Sequence, residues 1–408
     1  MQIHSRVPMF GPADATPVPA PGEVRGDRPD HDGKHDDGKH DDGKHDGEDH
    51  DGALDEAVSR AQAKSAVVEE RLRLQPGNHL VLSGDRPTGD LHIGHLLGTL
   101  ANRVRLQQLG VPLVLVIADY QVIVDRNDPG PVRDRVRALV ADYLAAGVDP
   151  ERTVIFPHSA IPSLNQLMLP FLALVSAAEL HRNPTIKSEM NAAGRPLSGL
   201  LLTYPVHQAA DILFCGGTVV PVGMDQLPHL ELTRSIARRF NDRYGHLFRL
   251  PEPLLSRTPL VLGTDGRKMS KSRGNSIALS ANEDLTASRI RSAKTDSVRL
   301  VEYRPKARPE VASLLEIVAA FTGDTPAGIA HEIGNRGSGA LKARAAEAVN
   351  EFLRPLRARR RELVAEPSYL DGVLLDGIGQ ANAMASSTLG KVRAAMDMDY
   401  LAGRRAGT

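Results

Sequence analysis

From residue 79 to residue 156, short apolar runs alternate with stretches whose apolar positions recur at helical spacing. His79–Leu82 predicts a strand, followed by a Gly/Pro/Thr turn and a helix through Leu109 that Gly110 closes. Pro112–Ala118 is apolar on both faces, as a strand buried inside a parallel sheet must be. Arg133–Ala146 predicts a helix and Thr153–Phe156 another strand. Strand–helix–strand repetition predicts an α/β domain with a Rossmann-type, doubly wound parallel sheet. Beyond about residue 285 the strand pattern stops, and residues 311–321, 339–363 and 377–396 predict helices. Pro309, Pro326 and Pro367 fall outside these helices, while Pro355 lies within the second and predicts a kink or a break. The expected organisation is an extension over residues 1–75, an α/β domain over 76–284 and an all-helical C-terminal domain over 285–408.

The extension has a different character. Residues 1–53 are rich in Pro, Gly, Asp and His, with Lys-His-Asp-Asp-Gly starting at Lys34 and again at Lys39. So little apolar surface predicts disorder, and the extension is expected to be mostly disordered. Histidines at 31, 35, 40, 45 and 50, flanked by carboxylates, suit loose binding of Zn²⁺ or Ni²⁺; a solubilising tail is the plainer reading. From Leu54 to Leu74 an amphipathic lead-in helix is expected, with Ser65 a polar gap in its apolar stripe and Pro76-Gly77 as its end.

Composition narrows the class. The 408 residues carry 50 Lys+Arg and 50 Asp+Glu, but residues 27–53 hold a net −7, leaving +7 on the remainder. A mildly basic body suits a polyanionic partner without requiring one. The single cysteine, Cys215, excludes an internal disulfide framework and a multi-cysteine zinc site, and no resident metal site is expected. Apolar runs such as Val111–Ala118 are too short to cross a bilayer, and the first twenty residues lack signal-peptide character. A soluble, cytoplasmic protein with no membrane partner is expected.

Two segments carry nucleotide chemistry. Ser83-Gly84-Asp85-Arg86-Pro87-Thr88-Gly89-Asp90-Leu91-His92-Ile93-Gly94-His95 opens the first strand into a helix, where free N–H groups suit an anion and glycines admit close approach. His92 and His95, three apart, share one side of the first turn. Lys268-Met269-Ser270-Lys271-Ser272, flanked by Gly263, Asp265, Gly266 and Arg273-Gly274-Asn275, places two lysines in a loop able to close over a triphosphate. Together and in this order, the two segments resemble the signature motifs of class I aminoacyl-tRNA synthetases. The 176 positions between His92 and Lys268 leave no room for a large editing insertion, which points to the compact Trp and Tyr enzymes. A site that hydrogen-bonds a buried donor rejects analogues lacking it by roughly 10⁴–10⁵-fold and needs no editing.

A third segment, Leu202–Leu213, begins near Pro205, expected at the first helical position, and sets Tyr204, Gln208 and Asp211 on one face. A carboxylate among Ala, Ile, Leu and Phe is costly without a donor, and an indole N–H is a donor only; a capping or ion-paired Asp is the alternative. Beside the two motifs, this stretch is similar to the substrate-binding helix of tryptophanyl-tRNA synthetases. The resemblance assigns Asp211 to the indole nitrogen and Tyr204 to the pocket wall, with Gln208 where many bacterial members have Met. A fourth segment, Val220-Pro221-Val222-Gly223-Met224-Asp225-Gln226, suits ribose hydroxyls at the sheet's carboxyl edge; Met224 replaces the family's Glu, and the resemblance implies a ribose contact for Gly223 and Asp225. Leu230–Arg234, Arg239-Phe240-Asn241 and Arg291–Ser297 extend the resemblance, which covers about residues 79–400.

That resemblance implies ATP-dependent activation of L-tryptophan and transfer to tRNA(Trp), by a homodimer using Mg²⁺ with ATP. It implies catalytic roles for His92, His95, Lys268 and Lys271, and ATP contacts from Arg86, Pro87, Thr88, Gly94, His95, Gly223, Met224, Asp225, Lys268, Met269, Ser270, Lys271 and Ser272. Asp119-Tyr120-Gln121 and Lys187 are lesser candidates, and Arg354, Arg357, Arg359, Arg360 and Arg361 a candidate tRNA-backbone contact. A tyrosyl enzyme and a non-catalytic regulatory paralogue remain alternatives.

Overall fold

The computed structural model describes residues 48–125, 128–187, 197–255, 261–271 and 273–400. Five parallel strands, β1 (Val81–Asp85), β2 (Leu113–Ile117), β3 (Thr153–Pro157), β4 (Val219–Val222) and β5 (Glu252–Leu255), lie in the order β3-β2-β1-β4-β5. The order reverses beside β1, so a crevice opens between the carboxyl ends of β1 and β4, where ligands bind in such sheets. The lead-in helix α1 (Glu48–Leu74) starts inside the stretch expected to be loose. Val68 and Leu72 bury against the core, and Ser65 is no idle gap: its hydroxyl accepts the Leu255 N–H of edge strand β5 at 2.9 Å. Of the five tail histidines, His31, His35, His40 and His45 lie outside the described residues, and His50 falls in the first turn of α1.

Alternation along the strands divides the core between the two faces of the sheet. Val81, Leu113, Leu115, Ile117 and Val219 point to one face, and Leu82, Val114, Val116, Phe156 and Val220 to the other. On the first face lie α1 and a continuous helical segment made of α2 (Ile93–His95), a π-helical turn (Leu96–Leu100) and α3 (Ala101–Gln108), together with α5 (Val132–Ala145), which follows the short α4 (Val122–Asp125). The second face is covered by α6 (Pro162–Leu172), α8 (Gly199–Leu213) and α9 (Leu227–Tyr244), with α7 (Ala177–Arg182) beside α8. Half-buried Cys215 packs there, its thiol pushed up to about 12 by burial and therefore unreactive.

The remaining described helices are α10 (Glu283–Arg291), α11 (Pro309–Thr322), α12 (Pro326–Ile333), α13 (Gly337–Ala365) and α14 (Pro367–Ala395). The prolines expected outside helices instead begin them: Pro309, Pro326 and Pro367 occupy first positions, where no N–H is needed. Pro355 neither breaks nor splits α13, which runs on as one helix with Leu353 and Leu356 fully buried. Pro205 likewise sits inside α8; the helix starts earlier because the Ser198 hydroxyl accepts the Leu201 N–H and caps it.

Helix α14 crosses the free edge of β3. Leu370 and Val373 join the first face, while Ala381, Ala385 and Leu389 join the second. At the crossing Gly377 lies on the Ile155 backbone, so that a Cβ there would fall 1.9 Å from the Ile155 carbonyl oxygen. Gly379, two residues on, has open space around it. Gly377→Val should therefore cost at least about 2 kcal/mol of stability through overpacking. Gly379→Ala should instead stabilise by about 0.5–1 kcal/mol through helix propensity. Thermal or urea unfolding of the two variants checks this, and equal effects would contradict the packing.

Candidate functional site

The crevice is a cavity of about 750 Å³ bounded by Ser83–Arg86 at the end of β1, Val220–Gly223 at the end of β4, the face of α8 and the lysine loop. That volume suits a nucleotide with a small co-substrate. Gly84 is required by the close packing of β1 on β2, since a Cβ there would meet the Val116 carbonyl oxygen at 2.3 Å. Among the expected residues, Arg86, Thr88, His92, His95, Tyr204, Gln208, Asp211, Gly223, Lys268, Met269, Ser270 and Lys271 line the cavity. Pro87 does not; it is buried behind the turn. Gly94 lies beneath, packed so tightly on the His92 ring that a Cβ would come within 3.0 Å of Nδ1. Met224 and Asp225 are exposed in a 3₁₀ turn and are not among the lining residues, although Gln226 of the same turn is. Ser272 lies outside the described residues.

Both histidines of the first turn are neutral at physiological pH. Burial, with His95 and Lys271 alongside, lowers the His92 pKa to about 3; burial, opposed by Asp85, lowers that of His95 to about 4. The His92 N–H donates to His95 Nδ1 at 3.3 Å, which leaves the proton of the neutral His95 ring on Nε2. Beneath them lies a network the sequence did not announce. Fully buried Arg103 donates from Nη1 to Asp85 Oδ2 at 2.6 Å, from Nε to Ser83 Oγ at 3.0 Å and from Nη2 to the Gly84 carbonyl at 3.2 Å, and the Tyr143 hydroxyl donates to the same Asp85 oxygen at 2.6 Å. Burial alone would raise the Asp85 pKa, but the Arg103 guanidinium outweighs it and holds the carboxyl well below its usual range. The floor thus carries a fixed ion pair.

The lysine loop bridges the opening. Lys271 Nζ donates to the Gly89 carbonyl at 2.6 Å, and Lys268 Nζ lies 3.6 Å from Asp225 Oδ2. Buried Asn275 frames the loop: its Oδ1 accepts the Ser270 N–H at 2.8 Å, and its Nδ2 donates to Asp265 Oδ1 at 2.7 Å and to the Lys268 carbonyl at 3.2 Å. Gly263 must lack a side chain here, because a Cβ would fall 2.4 Å from the Asn275 amide.

At the inner end, Asp211 is 3% exposed. Its Oδ2 lies 3.1 Å from His158 Nδ1, whereas Oδ1 is buried without a partner among the described residues. The Tyr120 N–H donates to His158 Nε2 at 3.1 Å, so the neutral ring carries its proton on Nδ1 and gives it to Asp211. Burial opposes charge on His158, but Asp211 and Asp119 prevail and raise its pKa above the ordinary value. His207 packs edge-on against His158 with ring centroids 4.6 Å apart. His158, His207 and Asp211 bring one donor atom each within 4.8 Å of one another, a grouping the sequence reading did not expect. The Tyr204 hydroxyl is hydrogen-bonded to His229 Nε2 at 2.9 Å, fixing that wall. Of the lesser candidates, Gln121 lines the cavity. Asp119 instead ties strand ends, accepting the Ser159 N–H at 3.1 Å. Lys187 is exposed and away from the cavity lining.

The arginine cluster is largely spent within the chain. Arg354 pairs with Glu283, Arg357 donates to Asn350 and to Thr286 Oγ1 at 2.7 Å, and Arg360 pairs with Asp142. Arg354, Arg357 and Arg360 thus tie α13 to its neighbours, while Arg354 and Arg361 remain exposed.

Comparison with known proteins agrees with this geometry. The family model for class I tRNA synthetases (W and Y) matches residues 76–354. A tryptophan–tRNA ligase of Treponema pallidum is 41% identical over 78% of this chain and 96% of its own length. One from Thermotoga maritima is 39% identical over 78% and 99%. The crystal structure of tryptophanyl-tRNA synthetase from Campylobacter jejuni, complexed with ADP and tryptophan, superimposes with a TM-score of 0.69 at 31% identity, covering 78% of this chain and 99% of that one. With the two signature segments meeting across one crevice and these matches spanning most of both partners, the chain belongs to the class I aminoacyl-tRNA synthetases, among the tryptophan–tRNA ligases.

Proposed function

We propose that the chain activates L-tryptophan with ATP, giving tryptophanyl-AMP and pyrophosphate, and passes the aminoacyl group to the 2′-hydroxyl of the terminal adenosine of tRNA(Trp). The observation that carries this reading is the unanswered Oδ1 of Asp211. A buried acceptor without a donor costs about 1–3 kcal/mol, and an indole N–H entering between Tyr204 and Gln208 removes that penalty. His158 holds the other carboxylate oxygen, so the free one keeps its direction.

Around the triphosphate the chemistry is placement and electrostatics, with no covalent nucleophile. Neutral His95 offers its Nε2–H to a phosphate oxygen, and His92 fixes that ring through its N–H. Lys268 and Lys271 meet the charge developing on the leaving pyrophosphate, exchanging their contacts with Asp225 and Gly89 for phosphate oxygens. Met269 and Ser270 carry the loop, with Ser272 assigned there from the motif. Arg86, Thr88 and Gly223 suit the nucleotide's phosphates and ribose. Mg²⁺ enters with ATP as part of the substrate, held by phosphate oxygens and water, because Asp85 is committed to Arg103 and Asp211 to His158. By family resemblance the reading extends to residues 76–284 as the catalytic unit, residues 285–408 as the anticodon-binding unit, a homodimer with tRNA spanning both subunits, and a cytoplasmic location. Among the described residues no helix is long and apolar enough to cross a membrane.

Because the chain contains no tryptophan, the fluorescence of added tryptophan, excited selectively over the tyrosines, reports its binding without a protein indole background. Asp211→Asn should weaken that binding about 10–100-fold, the range set by losing a charge-assisted buried hydrogen bond. Wild-type ATP–pyrophosphate exchange should require tryptophan, and exchange supported equally by tyrosine would sink the assignment. Lys271→Ala should lower the exchange kcat by about 10²–10³-fold, the size of losing one transition-state donor, with the tryptophan KM nearly unchanged. Since burial lowers the pKa values of His92 and His95 to about 3 and about 4, both should stay uncharged down to moderately acidic pH. Imidazole resonances assigned by His→Gln variants should not titrate between about pH 5 and 8, where unperturbed histidines do.

A further inference from the structure

The turn that carries His92 is fixed at three points. The Leu91 carbonyl accepts the Leu279 N–H at 2.8 Å, and the Ile93 N–H donates to the Ile277 carbonyl at 3.0 Å, so the segment leaving the lysine loop forms a short antiparallel bridge with the turn. The Ser280 hydroxyl adds a hydrogen bond to Asp90. The third point is a side chain. Leu91 donates its N–H to Asp142 Oδ2 at 3.3 Å, and Asp142 is 1% exposed, on α5 under the turn. Its other oxygen meets Arg360 Nε, 218 positions along the chain on α13, at 2.5 Å. Removing either member of a buried ion pair leaves the other uncompensated.

We propose that Asp142 and Arg360 form a positioning pair for the nucleotide, through which helix α13 helps to set the backbone of Leu91 and hence the first-turn histidines. Neither side chain lines the cavity; they act through the Leu91 N–H. The Arg360 guanidinium favours the ionised form of Asp142, in which both oxygens are acceptors, one for the turn and one for the helix. Burial raises the Asp142 pKa above the ordinary carboxylate value, and Arg360 and the Leu91 N–H work against that rise. Because His92 follows Leu91 directly and lies on the nucleotide side of the cavity, loss of the tie should act on ATP rather than on the amino acid.

This inference rests on the proposed ATP-dependent activation, so wild-type ATP–pyrophosphate exchange with tryptophan is measured first; its absence would remove that reading and not the pair. In an exchanging protein, Asp142→Asn and Arg360→Met should each raise the ATP KM about tenfold, in keeping with a displacement of the turn by a fraction of an ångström. The tryptophan KM should change less than about twofold, and Arg360→Lys should recover a large part of the loss. The double variant should be no worse than the worse single one, as for residues acting through one contact. Exposed Glu362→Gln, on the same helix, is the control and should leave both constants unchanged. All variants are assayed where circular dichroism shows them folded. An unchanged ATP KM, or equal shifts in both KM values, would overturn the proposal, since a merely structural pair lowers the melting temperature without separating the two substrates.

Discussion

A carboxylate shielded from water must be answered by donors, and the arrangement of this protein follows from that constraint at three places. Asp85 is answered by Arg103 and Tyr143, Asp142 by Leu91 and Arg360, and Asp211 on one oxygen by His158. Ionised groups in such surroundings are held by charge-assisted hydrogen bonds, which fix direction more than they add net stability. The first two are complete and therefore rigid. The third is left half open at the inner end of the cavity, and selectivity at that point is a matter of which molecule brings the missing N–H.

The lysine loop obeys a related logic at its rim. Its two cations rest on weak partners, a carbonyl at Gly89 and a solvent-exposed Asp225, which a polyphosphate can displace at little cost. Its frame is the reverse. Asn275 is buried, uses both ends of its amide and is packed on Gly263. A stiff frame with loosely held charges lets the lysines exchange partners without rebuilding the loop.

How much of this could be read in advance depended on separation along the chain. The doubly wound sheet and the two nucleotide segments were legible because alternation, glycine turns and motif residues are local signals. The face shared by Tyr204, Gln208 and Asp211 was legible from helical spacing alone, even though Pro205 misled as to where the helix begins. His158, 53 positions from Asp211, was not, because nothing near Pro157-His158-Ser159 announces a partner. Arg103 reads as one more charge in an amphipathic helix until β1 is placed beside it. Arg357 and Arg360 of α13 read as surface charge because composition does not show the buried acceptors, Thr286 on α10 and Asp142 on α5, that they meet. Proline position failed in a consistent way: as a residue that stops helices it was placed outside them, whereas three of these prolines start one.

The π-helical turn at Leu96–Leu100 has a geometric effect on the floor of the cavity. Along a regular α-helix, residues spaced by four drift steadily around the axis, so a row of three would turn away from any one target. A wider turn takes up that drift, and His95, Thr99 and Arg103 all reach the same cavity from one helical segment. The single inserted step therefore works as an angular corrector, aligning an uncharged imidazole at the helix mouth with a guanidinium two turns deeper. Removing one residue from it would swing Arg103 off Asp85 while leaving His95 in place.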